Sequence, residues 1–279
     1  MPGFAVAEGR DPVPGDTMWS MDINEGRHDG ECVIFGAGSY YDEQPTILGG
    51  AFVVAADGGL DHVRALGVDA DVVIGDFDSL DHDFDTYAHL HGITRLPSEK
   101  DDTDMFAAVK LGWAHGARRF HIYGGLGGRV DHTLANIQTL ARIAAHGGVG
   151  FLHGDGQILT VLCDGTLSFR AWDAPARSMI SVFAHGGVAR HVTIGGLKYG
   201  VRDAVLRDTK PIGVSNEFLA GQEGWVSVGD GALVVVFPVS APAPAWRTER
   251  GDEGPDALGV IDTHVSRLLS KRAASSEKR

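Results

Sequence analysis

The chain has 279 residues, of which 43% are hydrophobic and 22% charged, with a formal net charge of −13. That length accommodates one large domain or two modest ones with ordinary cores, and the composition excludes a disordered or fibrous chain. An acidic balance without a basic patch argues against a nucleic-acid partner, and an acidic protein that handles phosphates needs a cation to do so, for which a divalent metal is the natural source.

Residues 1–30 mix Gly, Pro and charges without periodicity and read as a mobile extension lacking the basic and apolar regions of a signal peptide. The longest apolar run, ALVVVFPV from Ala232, falls far short of the ~20 residues that cross a bilayer, so a cytoplasmic, membrane-free protein is expected. Cys32 and Cys163 sit in separate apolar stretches and read as buried thiols, with no zinc spacing.

CVIF at 32–35 predicts a first strand, followed by Gly36-Ala-Gly38-Ser39, a tight strand-to-helix turn of the kind found near ligands. A second strand, Phe52 to Ala55, ends at Ala56-Asp57-Gly58-Gly59 and leads into the helical stretch LDHVRALG. VVIGDFDSL, Val72 to Leu80, is an apolar strand that ends in Gly75 and two aspartates, Asp76 and Asp78. Two readings stand for that pair: turn chemistry, which Asp, Ser and Gly favour, and a carboxylate pair delivered to the rim of a sheet where open α/β folds bind ligands. A helix around 81–90 and a short strand from Ile93 follow.

The run Ser98-Glu-Lys-Asp-Asp-Thr-Asp104 opens a helix with Phe106, Val109 and Trp113 on one face, ending at Gly116. Asp102 or Thr103 serves as a cap on one reading; four acids in six residues exceed what a cap needs. Arg119 to Tyr123 is a strand, and Gly124-Gly-Leu-Gly-Gly-Arg129-Val-Asp131 runs into a helix carrying Leu134, Ile137, Ala141 and Ala144. Such a loop offers backbone N–H groups to phosphate, although no Walker spacing occurs. Arg129 is either a solvated surface arginine or the positive charge that stabilises a transferring phosphoryl group.

Strand and helix alternate up to about residue 153, which predicts a parallel sheet covered on both faces. Short alternating runs then appear at 158–162, 167–169, 179–183, 192–194, 225–228 and 232–237, predicting a second, all-β sandwich-like domain. The expected organisation is therefore an extension over 1–30, an α/β catalytic domain over 31–154, an all-β domain over 155–238, and from 239 a linker with a tail. In that tail Leu258, Ile261, Val265 and Leu268 have helical spacing.

In a parallel sheet every strand ends on the same edge, so Asp57, Asp76 with Asp78, and Asp101, Asp102 and Asp104 converge there. Carboxylates gathered in one cleft repel unless a cation joins them, and Mg²⁺ is the hard cation commonly shared between carboxylates and phosphates.

Six motifs, ADGG at Ala56, IGDFDS at Ile74, KDDTD at Lys100, GGLGGRVDHT at Gly124, GLKY at Gly196 and SNE at Ser215, resemble in order and spacing the thiamine pyrophosphokinase (thiamine diphosphokinase) family over roughly residues 31 to 238. The resemblance implies Mg²⁺-dependent transfer of the pyrophosphoryl group of ATP to the hydroxyl of thiamine. It also implies a homodimer whose sites lie between the catalytic domain of one subunit and the β domain of the other. By motif, Asp57, Asp76, Asp78 and Asp104 fall on the metal and catalytic acids, and Asp101, Thr103, Arg129 and Asp131 on the nucleotide segments. Tyr199, Ser215 and Asn216 fall on the thiamine-contacting positions. The chain departs from some relatives in having Tyr199 where Trp can occur and Lys100 in place of a neutral residue. A diphosphokinase for another hydroxymethyl acceptor, such as a pterin, and a nucleotide- or thiamine-binding module without turnover are the alternative readings.

Overall fold

The computed structural model describes residues 30–41, 45, 47, 49–76, 92–97 and 100–261. The predicted helix around 81–90, together with Asp78, Val265 and Leu268, lies outside the described residues.

Six strands, β1 (Glu31–Phe35), β2 (Phe52–Ala56), β3 (Val72–Gly75), β4 (Ile93–Arg95), β5 (Arg119–Tyr123) and β6 (Val149–Gly154), pair in parallel in the order β4-β3-β2-β1-β5-β6. Their residues alternate between two faces, as the strand period requires. Ile34, Val54, Ile74 and Phe120 pack with α2 (Asp104–Ala114) and α3 (Val130–Ala145), while Val33, Phe35, Val53 and Val73 pack with α1 (Gly59–Ala65). Both faces being covered, the strands are near-continuously apolar. The chain leaves β1 toward β2 on one side and returns through α2 to β5 on the other, so the order reverses at β1, where such sheets open a crevice.

Beyond β6 every pairing is antiparallel. β7 (Gln157–Phe169) folds back on β6 across Asp155-Gly156, and β8 (Met179–Gly195), β9 (Val201–Arg207), β10 (Asn216–Glu217), β11 (Gly224–Pro238) and β12 (Ala245–Thr248) complete a β-rich half with its own core of Leu167, Phe169, Ile180, Val226 and Phe237. The α/β part and the β-rich part anticipated from periodicity are thus both present, joined through one hydrogen-bonded sheet.

Three differences from the sequence reading have physical causes. The paired short runs, such as 225–228 and 232–237, are single long strands whose alternation is interrupted where the register shifts between Val228 and Ala232. β6, VGFLHG, is buried on both faces and shows no alternation to read. The stretch expected to be a linker is largely docked: Ala245–Thr248 pairs with β7, and Leu258 is 3% exposed in the core shared by α2 and α3. Leu258 and Ile261 are not helical.

On β5 and β6, His121 Nδ1 and His153 Nε2 lie 3.0 Å apart, with His153 stacked on Tyr123 and His121 on Phe151. Burial pushes the His121 imidazole down to about 4, helped by Arg119, and that of His153 down to about 3, helped by His121. An unfolded histidine titrates near ~6.5, so the unfolded chain takes up these protons first and stability, complete above that pH, is lost as pH falls toward 4. Melting temperatures measured from pH 7 to 4 should fall over this window, and His153→Gln should flatten the slope; an unchanged slope would remove the pair as its source.

Candidate active site

A cleft of about 660 Å³ opens at the carboxyl edge of the parallel strands, where the order reverses. Its floor is made by two loops fused through backbone hydrogen bonds: Gly36 N donates to Tyr123 O at 2.8 Å and Gly38 N to Gly124 O at 3.0 Å. A Cβ on Gly38 would stand 2.3 Å from Gly124 O, so only glycine permits this approach. Asn136, buried on α3, donates from Nδ2 to Gly125 O at 2.7 Å and anchors the glycine loop from below.

Asp57 follows β2 with φ of 51°, a left-handed conformation that Asp tolerates better than most residues, and its amide donates to Ile74 O at 2.8 Å. A Cβ on Gly75 would lie 3.1 Å from Asp57 Cα, so the absence of a side chain there lets the two strand ends lie against each other. Asp76 comes immediately after, and both carboxylates border the cleft. At Asp57 the left-handed turn and the carboxylate at the cleft belong to one residue.

The third wall is the start of α2. Thr103 is its N-cap, its Oγ1 accepting from Phe106 N at 3.1 Å. Asp104 lines the cleft; its Oδ1 is buried and lies 2.9 Å from Lys100 Nζ, without accepting a hydrogen bond of good geometry among the described residues. Lys100 is itself only 6% exposed, donates to Pro97 O at 3.2 Å and lines the same cleft. Asp102 is held by Lys110 at 2.6 Å. Two of the acids read as mutually repelling thus have lysine partners.

Arg129 stands at the rim before α3, 71% exposed, with Nε 3.1 Å and Nη2 2.5 Å from the two oxygens of Asp131. That hydrogen-bonded pair, chiefly, holds the Asp131 carboxyl down at about 2 and raises the guanidinium. Arg129 lines the cleft; Asp131 and Asp101 do not, Asp101 facing a neighbouring hollow between α2 and α3.

Among the described residues no group of three or more His, Cys, Asp or Glu side chains gathers around a point that could hold a metal ion. The donor chemistry nonetheless fits a hard cation, since Asp57, Asp76 and Asp104 bring carboxylate oxygens to one cleft, with Lys100 already beside Asp104.

Tyr199, Ser215 and Asn216 form a separate cluster in the β-rich half and none of them lines this cleft. Asn216 Oδ1 accepts from Tyr199 N and Glu217 N, both at 2.9 Å, and Nδ2 donates to Tyr199 O at 2.7 Å. The buried amide therefore clamps the Tyr199 loop and leaves the 61% exposed ring presented outward. Ser215 has φ of 58° and donates from its amide to Ser181 Oγ at 3.0 Å.

Asn136 and Lys110 escaped the sequence reading. The available signal for Asn136 was a polar residue four positions before Leu140, hence on the buried face of α3.

An α/β sheet with an acidic, glycine-floored cleft at its switch point, followed by a β-rich half with a clamped aromatic loop, defines a two-part protein built to bind small molecules. Residues 47–149 match the model for the catalytic domain of thiamin pyrophosphokinase, and residues 173–233 that for its vitamin B1 binding domain. With more than half of it matched by these two, the chain belongs to the thiamin pyrophosphokinase family. Its fold is similar to that of the thiamine pyrophosphokinase of Bacillus subtilis (21% identity, TM-score 0.63, 75% of this chain and 98% of that one). Similar folds are those of the Geobacillus thermodenitrificans enzyme (25%, 0.61, 75% and 98%) and the Candida albicans enzyme (16%, 0.59, 75% and 88%). No curated protein matches the chain by sequence. No described helix is long and apolar enough to cross a membrane.

Proposed function

We propose that this chain is an ATP:thiamine diphosphotransferase, transferring the pyrophosphoryl group of ATP to the hydroxyl of thiamine to give thiamine diphosphate and AMP. It would be a Mg²⁺-dependent homodimer of the cytoplasm. The observation that carries the reading is the meeting of Asp57, Asp76 and Asp104 with the Gly124–Arg129 loop in one cleft of a chain that matches both halves of the family.

The thiamine hydroxyl oxygen attacks the β-phosphorus in line, the bond from that phosphorus to the oxygen shared with the α-phosphate breaks, and AMP leaves with the electron pair. The hydroxyl proton passes to a cleft carboxylate. Asp57, Asp76 and Asp104, with Asp78, would hold Mg²⁺, which when bound supplies charge neutralisation for the phosphates. The glycine loop brings backbone N–H groups to the phosphates at the start of α3, Lys100 adds a fixed positive charge beside Asp104, and Arg129 covers the rim. Thr103 caps α2, with Asp101 shortly before it in the chain, and Asp131 holds Arg129 and the His132 amide at the start of α3.

Because Tyr199, Ser215 and Asn216 stand away from the cleft of their own chain, a second copy is the natural supplier of the thiamine-facing cluster. The exposed Tyr199, Val201, Val205 and Trp225 give that half an apolar surface to pair with.

Purified protein with ATP, Mg²⁺ and thiamine should yield AMP and thiamine diphosphate, identified by mass. ADP with thiamine monophosphate, turnover only with a pterin acceptor, or no turnover would each overturn the assignment.

A further inference from the structure

Both family matches end before the segment that closes the described chain, yet that segment is tied down at several points. After β12, Arg250 Nε donates to Asp164 Oδ2 at 2.7 Å. Asp252 Oδ1 then receives Arg118 Nε at 3.0 Å and Nη2 at 2.7 Å, the guanidinium lying 3.9 Å over the Trp113 ring, and Trp113 Nε1 donates to Gly254 O at 2.7 Å. Leu258 enters the core between α2 and α3, and Val260 O accepts from Lys110 Nζ at 3.1 Å.

Lys110 connects this segment to the cleft. It lies two turns along α2, 9% exposed, its ammonium 4.8 Å from the Phe106 ring centroid, and the same nitrogen that reaches Val260 O reaches back to Asp102 at 2.6 Å. Asp102 lines the cleft just before the cap of α2. A helix's first turn has orphan amides and frays unless it is held. Here the entry to that turn is held by an ion pair largely shielded from water, and part of that shielding comes from the terminal segment: Gly259 lies against the Lys110 ammonium, where a Cβ would stand 3.6 Å from Nζ.

We propose that residues 249–261 are a strap that holds the first turn of α2, and with it Asp102 and Asp104, in the geometry that binds nucleotide phosphates, with Lys110 as the positioning residue that transmits the hold. The proposal rests on the reading of the cleft as the nucleotide site. Without the strap, Lys110 loses an acceptor and regains water, its pair with Asp102 weakens to that of a surface pair, and the acids at the head of α2 are no longer fixed.

The test releases the strap at positions remote from the cleft, with Asp252→Ala and Leu258→Ser together, and compares it with Lys110→Met. Amide hydrogen exchange is read at Asp104–Ala107, and Mg·ATP binding is measured by calorimetry without thiamine, all well below the melting temperature of every variant. Exchange at the head of α2 should quicken about tenfold while β1 and β5 keep their rates, and Mg·ATP affinity should fall about tenfold. Combining the release with Lys110→Met should add little, since both cut one connection. Released variants that melt earlier but keep wild-type exchange at 104–107 and wild-type affinity would overturn the proposal and leave a stabilising staple. If the wild type itself binds no Mg·ATP, the nucleotide reading of the cleft fails, and wild-type exchange after release would sink the strap independently.

Discussion

Asp76→Asn is expected to abolish turnover, with a loss of at least ~10²- to 10³-fold, the range seen when one electrostatic element of a transition-state site is removed. Asn keeps the shape of the side chain and removes its charge. Asp76 directly follows β3 and borders the cleft, so the loss falls on the charge balance around the phosphates rather than on the core. The melting temperature should stay within a few degrees, because Ile74 and its neighbours are untouched. The decisive measurement is AMP formation alongside a melting curve. A variant that folds and turns over normally would remove Asp76 from the metal site.

Gly38→Ala should act through the backbone. A Cβ 2.3 Å from Gly124 O cannot be accommodated without parting the β1 and β5 loops, which share the hydrogen bond from Gly38 N to Gly124 O at 3.0 Å. The expected cost is about 1–3 kcal/mol of stability, typical of forcing an atom into filled space, with at least a ~10-fold loss of Mg·ATP affinity because both loops line the cleft. Gly49→Ala, where an added Cβ would meet nothing within 4 Å, is the matched control and should be near neutral. Calorimetry and thermal melts on the two variants check this; wild-type affinity in Gly38→Ala would show that the fused loops do not bind the nucleotide.

Much of the cleft's lining was legible before the structure because the information is local. An apolar run ending in Gly-Asp-x-Asp says both that a strand stops and that acids follow, and parallel topology then places Asp57, Asp76 and Asp104 on a common edge. A cap at Asp102 or Thr103 was likewise readable from its position before a periodic helix, and the structure makes it Thr103. The long antiparallel strands were not, since β-bulges break the two-residue period and make one strand look like two. The two lysines show the same limit: Lys100 and Lys110 were visible as residues, but which carboxylate each would neutralise depends on how α2 enters the cleft.

The sequence by itself determined the parallel α/β half, the β-rich half, the family, and the acids and glycines from which the cleft is built, because these rest on periodicity, turn chemistry and motif order. Only the tertiary structure decided that Asn136 anchors the Gly125 backbone, that Lys110 pairs with Asp102, and that Asn216 clamps the Tyr199 loop. It also decided that residues 245–248 pair with β7 and that residues 257–261 dock against α2 and α3. Each of these depends on contacts between residues far apart in the chain, where a polar side chain's role is set by the partner that burial brings to it.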